Sequence, residues 1–593
     1  MRQPLLFKLK IMEAVKNLTI ENKGITGRYC EKIAQRFLIG IAETNPAVLS
    51  IFKDRDVKPY RDLLAWQGEF AGKYLTSAYY VYKQTNNAQL RSYALDFIEK
   101  LLAYQSEDGY LGCYSKETRF TGALPQTPEK IPWTWDCWAH YHISFSLILW
   151  YNETGNVKYL SAAEKIADLL TATFYNGKKT IVSTGNAQMN LAVYHSFALL
   201  YNLTKKEKYL DFALETEKDM SSEGAGDWLN FALNEKDFYT CPCPRWEALH
   251  VIMGFFEMYK ATGDEKYRKA LINTVKSILS TDVHNTGGFS TKEQAIGNPY
   301  VNGVIETCCV VAFNALAVYA YMLSGDISLV DFLERSHYNA TLGSISPSGA
   351  WSTYDTPMEG EKYANFHFND FQSRPGSPML NCCSVNFGRG AAQISDWAVV
   401  LKGDGIYLNA FEKAVYRFDE NELSVDGNYP CENKVRIRFS GRADKKLFVR
   451  IPSWSKNTLC NVDGVKTAVN AGEYAEFPAG REISLEFDYT PRFEKGGDLY
   501  KDKYSVYIGN ILLAYDLTDN ASFAENNGGS GFTAEERLSE MKLPELSFDD
   551  FKNCNKKADN DTLVITLKNG VKLVDFCHAG MTGGLYKTWL DIA

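Results

Sequence analysis

Leu149-Trp150-Tyr151-Asn152-Glu153-Thr154-Gly155-Asn156 is an aromatic-rich apolar run that ends in a small polar turn, and the chain repeats it. Copies stand at residues 78–87 (AYYVYKQTNN), 199–205 (LLYNLTK), 255–264 (FFEMYKATGD) and 320–326 (AYMLSGD), with a degenerate sixth at 397–404 (WAVVLKGD). The turn residue falls at 85, 154, 204, 262, 324 and 402, so the gaps are 69, 50, 58, 62 and 78 residues. Several copies continue alike, as Lys158-Tyr159-Leu160, Lys208-Tyr209-Leu210 and Lys266-Tyr267-Arg268. Glycine or asparagine at the turn suits a helix C-cap, and the polar residues after it start a second helix. Recurring helical hairpins mean a solenoid or a closed ring. The gaps are longer and less regular than in open tetratricopeptide-type arrays. Six hairpins with long insertions predict an (α/α)6 toroid over residues 31–404, with a central cavity rimmed by loops. An open solenoid that binds a protein is the alternative.

Beyond residue 405 the period drops to two. Lys434-Val435-Arg436-Ile437-Arg438-Phe439, Lys446 to Ile451 and Ile483 to Phe487 alternate, with turns such as Asp463-Gly464 between them. This predicts a C-terminal β-sandwich region over 405–593 that braces the helical domain. Leu6 to Ile11 also alternates, so residues 1–30 read as an N-terminal segment joining that sandwich. Residues 520–560 are polar and contain Asn526-Asn527-Gly528-Gly529-Ser530-Gly531, the composition of a flexible insertion.

The 593 residues are 45% hydrophobic and 13% aromatic, ample for a large core, and 36 Tyr and 11 Trp suit clefts that stack on sugars. The net charge is −8 with no Lys/Arg run, which argues against nucleic acid and anionic membrane as partners. The N-terminus lacks the features of a signal peptide, and the reading finds no apolar stretch of about 18 residues to span a membrane. The 13 cysteines are odd in number, scattered and partly adjacent, which places the chain in the cytoplasm. A homodimer is compatible with all of this.

Two sulfur-rich knots carry the chemistry: Ile305-Glu306-Thr307-Cys308-Cys309 and Asn381-Cys382-Cys383-Ser384-Val385-Asn386-Phe387-Gly388-Arg389. Thiols grouped in a reducing compartment suggest a metal or a catalyst before disulfides. In an extended segment Glu306 and Cys308 share a face, and the two knots then close a Glu/Cys/Cys/Cys set suited to zinc. A buried inert pair or a vicinal Cys382-Cys383 disulfide are the alternatives. Cys309 reads as a packing cysteine, and Cys241-Pro242-Cys243 as a plain loop.

With these knots, the toroid repeat, Gly287-Gly288 and the later Leu447 to Trp454 strand and turn, the chain resembles the retaining β-L-arabinofuranosidases of glycoside hydrolase family 127 over nearly its whole length. The resemblance implies Zn2+ held by Glu306, Cys308, Cys382 and Cys383, with Cys382 as nucleophile. It also implies a glutamate acid/base, matched here by Glu293, thirteen residues before Glu306 in a shortened segment. His142 stands where the family has a substrate-contacting histidine, while His140 reads as a core or surface residue. Asn190 and the stretch Cys241 to Glu247 replace two further family histidines. Arg245 in that stretch would favour an anionic sugar. Trp351, Tyr354 and Asp355, between the knots, are candidates for sugar contact. The function implied is a zinc-dependent retaining exo-glycosidase that removes an L-arabinofuranose-like sugar from an oligosaccharide of plant type. The alternatives are the same mechanism on a carboxylated furanose of pectin, or a non-catalytic glycan-binding protein with structural zinc.

Overall fold

A computed structural model describes residues 11–593 except 62, 122–133, 290, 304, 365–379, 443–444, 523–532, 553 and 560. The alternation at 6–10 and the glycine-rich stretch at 526–531 lie outside the described residues.

The repeated turn has one chemistry. Thr85, Thr154, Thr204, Thr262 and Ser324 each donate a hydroxyl hydrogen to the carbonyl four residues back, at 2.7–2.8 Å. Each oxygen also accepts from the N–H two residues on. The single residue between, Asn86, Gly155, Lys205, Gly263 or Gly325, is left-handed, with φ from +51° to +70°. Asn87, Asn156, Asp264 and Asp326 then cap the returning helix with a side-chain oxygen. One left-handed residue reverses the chain and satisfies the orphan groups of both helix ends.

The hairpins so made pair an inner with an outer helix. Counting only the helices of the ring, the pairs are α2 (Glu69–Thr85) with α3 (Ala88–Leu102), α4 (Asp136–Thr154) with α5 (Val157–Thr173), and α6 (Val193–Thr204) with α7 (Glu207–Asp219). The next two are α8 (Ala248–Thr262) with α9 (Glu265–Thr281), and α10 (Thr307–Ser324) with α11 (Ile327–Ser336). Inner helices pack on one another in chain order, and α12 (Phe387–Ala392) closes the circle between α10 and α2. The approach is close: a Cβ on Gly72 would lie 2.4 Å from the backbone of His142 on α4.

The sixth pair differs from the sequence expectation. Its inner member is the short α12, and its outer member comes from the other end of the chain, as α1 (Ile25–Ile33) packed between α12 and α2. The degenerate copy at 397–404 is a β-hairpin, Val399–Lys402 paired with Gly405–Leu408. Its Val399-Val400 pair favours a strand over a helix. Helix Thr307–Ser324 does have the length and hydropathy of a membrane span, contrary to the sequence reading, but it is buried inside the ring.

After the ring, the described residues form three largely antiparallel sheets. Two of them take strands from the N-terminus: Glu13–Ala14 pairs with Val399–Lys402, and Thr19–Asn22 with Ala414–Phe418. Strand Lys434–Ser440 alternates exposed and buried along its length, so one face is covered.

The ring and sheets are tied by a buried ionic knot. Arg450 is fully buried and donates to Asp331 and Glu334 of α11, both at 2.5 Å, and to the Asn409 carbonyl at 3.1 Å. Glu334 also accepts from Tyr429, Trp454 and Asn510. Removing one partner of such a set strands a buried charge. Arg450→Met is expected to destabilise by about 3–5 kcal/mol. Arg450→Met with Glu334→Gln should recover part of that loss. Denaturant unfolding of the two variants checks this, and wild-type behaviour of the single variant would remove the knot from the account.

Candidate active site

The five inner helices α2, α4, α6, α8 and α10 are each followed by the same reversal, so all five run the same way, and their N-termini open on one mouth. A cavity of about 330 Å³ lies there, and Glu69, Trp135, Arg245, Glu293, Glu306 and Cys382 are among its walls. Each of these comes from the start of an inner helix or the loop feeding it. The positive ends of the helix dipoles therefore face a site rich in anionic side chains.

Glu306 is the N-cap residue of α10, with extended backbone, and Cys308 lies in the first turn. Their convergence thus comes from a helix start and not from an extended strand as the spacing alone suggests. Cys382 and Cys383 arrive on the loop before α12, and one ligand atom from each of the four residues lies within 4.8 Å of all the others. The Cys382 and Cys383 sulfurs each stand 3.4 Å from Glu306 Oε1, Cys383 is 3.6 Å from Cys308, and Cys382 is 3.9 Å from Cys383. A tetrahedral ion with bonds of about 2.3 Å needs ligand atoms about 3.7 Å apart, so the set fits a thiophilic divalent cation. Cys309, on the same helix, donates to Glu306 Oε2 at 3.5 Å and is not part of the set.

The surroundings hold negative charge unevenly. Asn386 donates to Cys308 at 3.4 Å, and the Lys73 ammonium lies 4.0 Å away. Burial pushes the Cys308 thiol up, but the Cys382 and Cys383 thiols and Lys73 outweigh it and bring it down to about 6. Cys382 is pushed up to about 12, by Cys308 first and also by burial. Burial, then the charge of Cys382, holds Glu306 well above the usual carboxylate range. Without a cation, then, most of this cluster stays protonated. Lys73 is itself buried, bonded to Glu69 at 2.8 Å, and Glu69 also accepts from the Trp138 indole. Burial raises Glu69 to about 7 against the pull of Lys73.

Glu293 sits at the tip of a two-residue reversal. Thr291 and Gln294 exchange backbone hydrogen bonds at 3.1 and 3.3 Å, and Lys292 and Glu293 both have positive φ, +53° and +66°. Such a turn prefers Asn-Gly, and a left-handed residue with a side chain costs roughly 1–2 kcal/mol. The strain is held by contacts: Tyr354 donates to Glu293 Oε1 at 2.9 Å, Arg245 to Oε2 at 2.6 Å, and the Trp246 N–H to its carbonyl at 3.3 Å. The Tyr354 oxygen also lies 3.7 Å from the Cys382 sulfur. Glu293 and Cys382 are therefore separated by no more than those two contacts together, and both border the cavity.

The other residues singled out from the sequence divide. Tyr354 is brought into the site. Arg245 is too, but it forks onto Glu247 at 2.8 and 3.0 Å as well as binding Glu293, so two carboxylates already match its charge. It does not stand ready for an anionic sugar. Asn190 is turned away: its side chain is bonded to Trp138 N–H, the carbonyls of Thr134 and Gly185, and the Thr184 hydroxyl. His142 is buried edge-on against Trp138 at 4.4 Å and does not border the cavity, with Nε2 unpartnered among the described residues. Trp351 belongs to the turn that bonds back to Ser346 and does not border the cavity. Asp355 pairs by backbone with Glu306, and burial raises it to about 7. His140 is used up between Asp136 and the Leu111 N–H. The loop Cys241 to Cys243 leads into Arg245. Trp66, Glu69, Trp135, Asn186, Gln188 and Trp246 border the cavity without having been singled out as contacts. Glu69 and Lys73 pair four residues apart on one helix, a spacing common to buried and surface pairs, so spacing alone does not mark Glu69.

Residues 45–396 match the family model described as "Beta-L-arabinofuranosidase, GH127 catalytic domain", and 405–488 match that family's middle domain. A non-reducing end β-L-arabinofuranosidase of Bifidobacterium longum is 22% identical over 522 residues, 77% of this chain and 76% of that one. Among solved structures, a GH127 β-arabinofuranosidase superposes with TM-score 0.76 at 19% identity, covering 98% of each chain. A GH127 β-L-arabinofuranosidase from Geobacillus stearothermophilus T6 gives 0.75 at 17%, covering 98% of this chain and all of that one.

The four-residue set leads to a measurable outcome. Elemental analysis of the purified protein should find one divalent ion per chain, lost in Cys308→Ser and in Cys383→Ser together with part of the melting temperature. A metal-free wild type with unchanged stability would reject the site.

Proposed function

The chain belongs to the β-L-arabinofuranosidases of glycoside hydrolase family 127, and on that footing we propose a retaining exo-glycosidase that releases a neutral β-L-arabinofuranose-like sugar from the end of a glycan. The observation that carries the reading is the placement of Cys382 and Glu293 on one small cavity, bridged by Tyr354. Retaining enzymes need a nucleophile and an acid/base about 5–5.5 Å apart, and the two contacts to Tyr354 allow that span. A cavity of about 330 Å³ suits one terminal ring and its linkage.

Three thiols and one carboxylate favour zinc, which when bound would keep the sulfurs anionic at neutral pH. Cys382 is the sulfur of the set that borders the cavity, whereas Cys308 and Cys383 are fully buried, so it is the one a sugar can reach. Its Sγ attacks C1 as the C1–O bond breaks, and Glu293 gives a proton to the departing oxygen. Glu293 then takes a proton from water, the water oxygen bonds to C1, and the C1–S bond breaks. Asn386 and Lys73, next to Cys308, keep that neighbour's charge from being withdrawn. Tyr354 aligns donor and nucleophile. Glu69, pinned by Lys73 and Trp138, retains lone pairs for sugar hydroxyls.

Charge favours a neutral sugar. Glu69, Glu247, Glu293 and Glu306 border the cavity, and Arg245 is already matched. A carboxylated furanose would find the guanidinium on that wall already taken by two carboxylates.

Cys382→Ser is expected to lower kcat/KM on p-nitrophenyl β-L-arabinofuranoside by about 10²–10⁴-fold or more, and Glu293→Gln to lower kcat by a similar factor with kcat/KM little changed. Because nitrophenolate leaves without an acid, Glu293→Gln should also accumulate protein heavier by one pentosyl group, seen by intact mass. A wild type inactive on every furanoside tried, or an active Cys382→Ser, ends this reading. Arg245→Gln should reduce kcat on the neutral substrate. Had Arg245 served an acidic sugar instead, only hydrolysis of a uronate analogue would suffer.

A further inference from the structure

A second cavity, of about 590 Å³, lies at the seam where α9 and α11 meet the strands Arg492–Lys495 and Tyr504–Ile508, and it shares no wall residue with the first. Its walls are positively unbalanced. The guanidinium groups of Arg335 and Arg492 flank one ring, that of Tyr507, at 4.3 and 5.4 Å from its centre. They share one carboxylate: Glu494 is 2.6 Å from Arg335 and 3.5 Å from Arg492. The other acidic wall residue, Asp331, is held by Arg450 at 2.5 Å. Lys456 and Lys495 add two more cations to the lining.

Two cations beside one carboxylate repel each other unless a further anion joins them. Arg492 is held below the usual guanidinium range, by burial and by Arg335. Two buried donors in the same wall, Arg492 Nε–H and Trp589 Nε1–H, have no acceptor among the described residues. Buried donors are rarely left so. Excess positive charge together with unmatched donors calls for an acceptor-rich, negatively charged occupant.

We propose that this cavity binds a small ligand bearing an oxyanion, with Arg335 and Arg492 as its receptor. A carboxylate on an acidic sugar and free phosphate share that chemistry. The site is separate from hydrolysis, since neither arginine borders the catalytic cavity.

Calorimetric titration of the full-length protein at low salt, with digalacturonate and separately with inorganic phosphate, tests it. Saturable binding of at least one is expected, weakened about tenfold or more in Arg492→Met. Hydrolysis of the aryl arabinofuranoside should be unchanged in that variant. Binding of digalacturonate alone identifies an acidic glycan, and binding of phosphate alone a free anion. If Arg492→Met does not fold, Lys456→Ser with Lys495→Ser carries the same expectation of weakened binding. Absence of saturable binding for both ligands, or wild-type affinity in the folded variants, overturns the proposal.

Discussion

A carboxylate and three thiols gathered in a protein interior can ionise together to hold a cation only if something there favours negative charge. In this chain it is the common direction of the inner helices. Each begins at the same mouth, so its unpaired N–H groups and positive dipole end face Glu69, Glu306 and the sulfurs. Lys73 adds a buried ammonium beside Cys308. The five hydroxyl-locked reversals on the far side enforce this direction. Chemistry at one end of the ring thus depends on turns at the other.

That polarity also brings the sulfur centre and the cavity wall to one end of the ring. Glu306 and Cys308 are held by a helix start and Cys382 and Cys383 by the loop before α12, while Arg245 and Glu293 reach the cavity on loops. Arg245 arrives on such a loop and is spent on Glu247 and Glu293, where it orients the acid/base candidate. The seam cavity belongs to neither, being built where ring and sheets join.

The parts legible in the sequence were those with a local, repeated cause. Hydroxyl, left-handed residue and capping side chain recur in order, so the hairpins could be counted, and adjacent cysteines with Glu306 announced a cluster. The sixth hairpin could not be read, because its outer helix comes from Ile25–Ile33, hundreds of residues from its partner. Asn190 falls at the right distance from its turn, yet its side chain is bonded into the backbone of Thr134 and Gly185. Counting along a helix gives depth and not direction. Glu69 was masked for the opposite reason, since a buried pair and a surface pair have the same spacing.

The hairpin tip at Lys292-Glu293 adopts a shape its own residues disfavour, and side chains from other segments hold it there. Its order is borrowed from Arg245 and Tyr354. Warming should loosen this tip while the ring is still intact, so the upper thermal limit of turnover would be set by one loop and lie below that of the fold.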